Sequence, residues 1–143
     1  MSERMKTHQR TGYLVRRAQA AVHAELEQRL ADHDLSFTQW GVLAALMDFP
    51  GMSNADLARF AFMTPQSMNP AVKQLEAAGL VERRPNSANG RILDARLTEH
   101  GKNIVRTMDR HVARIEERML RGLSRAERRA LDNALTVIAD NLN

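Results

Sequence analysis

Cysteine is absent from the 143 residues. That removes disulfide frameworks, thiolate zinc sites, cysteine nucleophiles and thiol redox sensing together. It also accords with a reducing cytoplasm, the expected location. No run of about 18 apolar residues occurs, so no segment is expected to span a membrane. Met1 to Arg10 is polar and lacks the apolar centre of a secretion signal. Catalytic signatures are missing as well: there is no G-x-S-x-G, no Walker-type loop and no H-E-x-x-H. His8, His23, His33, His100 and His111 are scattered, with no i, i+4 pair. Glu116 and Glu117 read as part of a solvated helix face. No enzyme activity, metal or cofactor is expected.

What is present suits one domain over residues 1–143. Apolar residues make up 43% and charged residues 27%, ordinary values for a globular chain. The formal charge is +4, a basic excess that permits nucleic-acid binding without requiring it. Residues 53–97 carry six basic against four acidic side chains, and the basic ones gather near a turn.

Hydrophobic spacing predicts helices almost throughout. Tyr13, Leu14, Ala18, Ala21, Val22, Leu26 and Leu30 form a stripe over residues 11–30. Ser36 with Gln39 and Ser53 with Asp56 are capping boxes, each with a hydrophobic staple (Leu35 and Trp40; Met52 and Leu57). Thr64-Pro65-Gln66-Ser67 opens another helix, with Pro65 at the first helical position, where its missing N–H costs nothing. Gly79 marks that helix's end, by the left-handed conformation of a Schellman cap. A hairpin should follow. Leu80 to Arg84 reads as one strand, Pro85 to Gly90 as a turn built on the favoured Asn89-Gly90 pair, and Arg91 to Leu97 as the return strand. Thr98 then caps a long helix reaching about Arg121, Gly122 breaks it, and Ser124 with Glu127 opens the last.

The fold class expected is therefore mainly α with a small β-hairpin wing. Two short helices joined by Ala61-Phe62-Met63 have the layout of a helix-turn-helix. The second puts its N-terminal residues into the major groove, so Thr64, Pro65, Gln66, Ser67, Asn69, Lys73 and Gln74 are the candidate DNA contacts. Gln and Asn can pair bidentately with adenine, and Lys73 suits phosphate or guanine. Met68, Ala71, Val72 and Leu75 should face the core. The hairpin adds Arg83, Arg84, Asn86, Asn89 and Arg91, placed to follow the backbone and reach a narrow minor groove. Capped helices alone fit a plain helical bundle, and an arginine-flanked hairpin alone fits a solvated turn. Their succession points to a winged helix-turn-helix.

Leu35 to Gly101 resembles the core of the MarR (multiple antibiotic resistance regulator) family. The matching segments are Leu35 to Leu43, Met63 to Met68, Leu75 to Arg83 and Leu97 to Gly101. The resemblance implies a dimer formed by helices at residues 11–30 and 98–143, with a reading head at 53–97. It implies binding to double-stranded DNA at imperfect palindromes, with half-sites about one helical turn apart. It further implies a repressor released by a small aromatic or phenolic acid, with Tyr13, Arg16, Arg17, Trp40, Ala44 and Met47 as matching positions. Three departures from the family pattern stand out. Pro70 lies inside the recognition helix and should kink it near Gln66–Pro70. Asn89 replaces the wing aspartate that commonly fixes the arginine two residues on, here Arg91. Asp94-Ala95 stands where a larger apolar residue is usual, so the second strand should be short or weakly packed. The alternative function is a helical interaction protein, or an architectural protein that binds DNA without sequence preference.

Overall fold

The computed structural model describes residues 4–143; Met1, Ser2 and Glu3, the first residues of the polar start and of the single domain expected, lie outside the described residues. After a short 3-10 turn at Thr7–Gln9 come α1 (Thr11–Ala31), α2 (Phe37–Asp48), β1 (Met52–Ser53), α3 (Asn54–Phe60) and α4 (Pro65–Ala77). Strands β2 (Val81–Pro85) and β3 (Leu93–Leu97) follow, then α5 (Glu99–Met119) and α6 (Arg125–Leu142).

The helix starts are fixed locally. Reciprocal capping boxes form at Ser36/Gln39, Ser53/Asp56 and Ser124/Glu127. The staple residues Trp40 and Leu57 are buried and their partners Leu35 and Met52 pack against the same core, as do Met68 (buried) and Met63 at the start of α4. Asp56 accepts from the Ser53 backbone N–H and side-chain hydroxyl and lies beside Arg59, which together hold its carboxyl below the usual 3.8 against the opposing effect of burial.

One type of helix ending recurs three times. At the end of α4, Gly79 takes φ +73°, Leu80 N–H donates to the Leu75 carbonyl at 3.0 Å, and Gly79 N–H donates to Glu76 at 3.0 Å. This is the Schellman arrangement expected from the glycine. The same pair of bonds closes α1 with Asp34 (φ 54°) and α3 with Phe62 (φ 55°) in the left-handed position. Asp tolerates that conformation, but a bulky L residue there costs about 1 kcal/mol or more. Phe62 recovers nothing by packing, since it is 89% exposed. Phe62→Gly is therefore expected to raise stability by up to about 1 kcal/mol in a denaturant titration. A clear loss of stability would mean that the ring makes a contact that matters.

The sheet has three strands in the order β1-β3-β2, both pairings antiparallel. β1 goes beyond the two-stranded hairpin expected; it is two residues long and pairs Met52 with Ala95 and Ser53 with Asp94. The return strand is short, one of the two outcomes expected, and it is not weakly packed. β3 is shorter than Arg91–Leu97, but it is the central strand, and Ala95 is buried. A small side chain suits a position flanked by strands on both sides. The turn also differs. Gly90 does not adopt positive φ, so the Asn89-Gly90 hairpin geometry does not form. Instead Asn86 Oδ1 accepts from the N–H groups of Ala88 (2.8 Å) and Asn89 (3.0 Å), and Asn86 N–H donates to the Ile92 carbonyl at 2.8 Å. Those bonds favour a longer loop by satisfying its backbone donors from a side chain.

A single core joins Leu26 and Leu30 of α1, Leu43 and Leu46 of α2, Met68, Val72 and Leu75 of α4, and Val105, Met108 and Ile115 of α5. Burying each such side chain contributes roughly 1.5–3 kcal/mol. The front of α1 and all of α6 are outside it. No residue of α6 is buried, and Leu131, Leu135 and Ile138 are 36–44% exposed. Leu131 and Leu135, with Leu14, Val15, Leu120 and Leu123, border an apolar hollow of about 550 Å³.

Candidate nucleic-acid interface

The helix-turn-helix is held by two kinds of contact. Met68, Ala71, Val72 and Leu75 bury the inner face of α4, as their spacing predicts. At its N-terminus Thr64 Oγ1 accepts from the Ser67 N–H at 3.1 Å and donates to Ser67 Oγ at 2.9 Å. Asn54, which sequence reasoning passes over, donates from Nδ2 to the Pro65 carbonyl at 3.0 Å. That bond ties the start of α3 to the start of α4 and fixes the angle at which the reading helix leaves the protein. Asn54 follows the Ser53 cap directly, so its side chain has no capping duty of its own. Its partner lies eleven residues on, beyond any local rule.

α4 is α-helical from Pro65 to Ala77, and the assignment continues through Pro70. Pro70 still supplies no N–H to the Gln66 carbonyl, a defect that costs roughly 3 kcal/mol relative to alanine in an ordinary helix interior. The residue is exposed.

The candidate contacts divide by what already holds them. Gln74 accepts from Gln39 Nε2 at 2.9 Å and faces α2. Arg83 is drawn back onto α4. Its Nε lies 3.3 Å from Glu76 Oε2, in ionic contact but not aligned for a hydrogen bond, and Nη2 donates weakly to Asn69 Oδ1 at 3.4 Å. Only 15% of its side chain is exposed. Arg84 pairs with Glu82 at 2.7 Å. Asn86 donates to Asp94 Oδ2 at 2.8 Å across the hairpin, besides shaping the turn. Asn89 Oδ1 accepts the Arg91 N–H at 3.1 Å, so Asn89 positions the arginine backbone without a charged contact. Gln66, Lys73 and Arg91 are exposed and make no side-chain hydrogen bond or ion pair among the described residues. Gln66, Pro70 and Lys73 succeed one another at i+4 and i+3, which puts them on one stripe opposite the buried face.

The ligand candidates are differently placed. Tyr13 and Arg16 border a shallow hollow with Met5, Thr7 and Arg10, and Arg17 is exposed. Trp40 is 8% exposed and belongs to the core, while Ala44 and Met47 pack against it. Among the described residues no cluster of three or more His, Cys, Asp or Glu side chains could hold a metal ion, and no helix is long and apolar enough to cross a membrane.

Comparison with known proteins agrees with this architecture. Residues 33–92 match the MarR family. The HTH-type transcriptional repressor Rv2887 of Mycobacterium tuberculosis is 34% identical over 124 residues, spanning 87% of this chain and 89% of that protein. BpsR of Bordetella bronchiseptica, described for the regulation of its DNA binding by 6-hydroxynicotinic acid, superposes with a TM-score of 0.85 at 26% identity, covering 96% of this chain and 99% of that one. The transcriptional repressor CouR, bound to a 23-mer DNA duplex, superposes with a TM-score of 0.83 at 28% identity, over 96% of this chain and 99% of that one. The chain is a winged helix-turn-helix member of the MarR family of transcription regulators.

Proposed function

We propose that this chain is a dimeric, sequence-specific DNA-binding repressor that a small aromatic acid releases from its site. The observation carrying the DNA reading is the free outer stripe of α4 beside an arginine at the wing tip that has no partner among the described residues. Residues 53–97 act as the reading head, with Gln66 toward bases, Lys73 toward phosphate or guanine, and Arg91 toward the minor groove. The helices at 11–30 and 98–143 pair two chains, which aligns two heads with two half-sites of an imperfect palindrome. The DNA complex of CouR and the ligand-regulated DNA binding of BpsR support this reading by likeness. Tyr13 beside Arg16 offers an aromatic face and a guanidinium to a carboxylate.

Footprinting on DNA upstream of the protein's own gene tests the proposal. Two protected half-sites about one turn apart, with affinity falling steeply in salt, are expected. Lys73→Ala and Arg91→Ala should each weaken binding and flatten the log–log salt slope by about 1.8 per dimer, because each protomer then neutralises one phosphate fewer. Equal binding to every duplex would instead favour the architectural reading. Aromatic carboxylates are expected to raise the melting temperature and release the duplex; a screen with neither effect removes the ligand from the mechanism.

A further inference from the structure

Pro65, Gln66, Pro70, Lys73 and Ala77 are exposed on α4 with no side-chain hydrogen bond or ion pair among the described residues, and Gln66, Pro70, Lys73 and Ala77 form one outward stripe; Ser67, Asn69 and Gln74 are bonded to Thr64, Arg83 and Gln39. Pro70 sits in the middle of that stripe. It is exposed and deletes a helix hydrogen bond, so the free protein gains no packing to offset its cost. A gain is available in a complex. A proline ring has no donor or acceptor, so it can recognise a base only by apolar contact. The apolar feature of the major groove is the C5-methyl of thymine. Gln66, one turn before Pro70, has the donor and acceptor pair that matches adenine.

We infer that Pro70 is a specificity-determining residue that reads a thymine methyl group in each half-site, adjacent to the base read by Gln66. The inference rests on the proposal that α4 enters the major groove. It predicts operators in which a thymine is required at one fixed position per half-site and in which 5-methylcytosine can supply the methyl there. Deleting that methyl removes about one buried carbon, an effect of about fourfold per half-site and about fifteenfold for both.

The test is a thymine-to-deoxyuridine scan of an operator selected from random duplexes by the full-length protein. Wild-type protein should lose about fourfold at one symmetric position per half-site and little elsewhere. Pro70→Ser, which restores the backbone N–H and should melt no lower than wild type, is expected to bind thymine and deoxyuridine operators equally. Uniform wild-type affinity across the scan overturns the inference, as does a Pro70→Ser protein that discriminates like wild type. Failure of the underlying proposal looks different: selection then yields no preferred sequence at all.

Discussion

Gly101→Ala is expected to lower stability by about 3–5 kcal/mol, a fall in Tm of about 10–20 °C. A Cβ at this position would lie 2.2 Å from the Leu80 carbonyl oxygen, 3.1 Å from its carbon and 3.3 Å from Leu97 Cδ2. The oxygen cannot retreat freely, because it accepts the Thr98 N–H at 3.1 Å. Thr98 in turn donates to the Gly79 carbonyl at 2.7 Å and accepts the Gly101 N–H at 3.1 Å. The first turn of α5, the end of α4 and the start of β2 are thus locked through backbone groups, and an added methyl has to break one of the bonds. Gly12→Ala and Gly41→Ala are the controls. Both are helical glycines with nothing within 4 Å of an added Cβ, and alanine there should be neutral or stabilising by up to about 1 kcal/mol. A Gly101→Ala protein melting within 2 °C of wild type, a threshold of roughly half a kcal/mol, would refute the close approach.

The second large effect belongs to α6. Leu135→Glu is expected to convert a dimer to a monomer in light scattering while leaving the head folded, because α6 contributes no buried side chain to the single chain's core. Losing the link between two heads removes the second, intramolecular binding event, so operator affinity should fall by about a hundredfold or more. The charge would be placed among Leu14, Leu131 and Leu120, where desolvation without a partner is costly. A Leu135→Glu protein that stays dimeric at micromolar concentration, with unchanged operator affinity, would place the dimer interface elsewhere.

These features are unequally legible in the sequence. The capping boxes at Ser36, Ser53 and Ser124 follow from partners three residues apart, and each forms as its spacing predicts. The inner face of α4 is equally plain from helical spacing. Strand β1 is not, because two residues carry no periodicity and its pairing is with a strand forty residues on. The wing turn follows Asn86, whose side chain outcompetes the local preference of Asn89-Gly90 once Asp94 holds it from the opposite strand. The reading face shows the same boundary. Sequence reveals that Gln74, Arg83 and Asn86 are polar side chains near the right surface. It does not reveal that Gln39, Glu76 and Asp94 already engage them. Conversely, Asn54 gives no local sign of reaching Pro65.

Arg83 has a mechanical consequence. By joining β2 to Glu76 and Asn69 of α4, it couples wing and helix into one plate, which Thr98 and Gly101 tie to one end of α5. Helix α5 is 21 residues long, a rod of about 30 Å. A rod of that length has the geometry of a lever arm. Tilting it by roughly 10° about the end near Leu120 swings the whole plate by about 5 Å, about one and a half base-pair steps of 3.4 Å. In the dimer proposed above, a small rearrangement among α1, α5 and α6 would throw two plates out of step with the groove, without altering any contact inside either one.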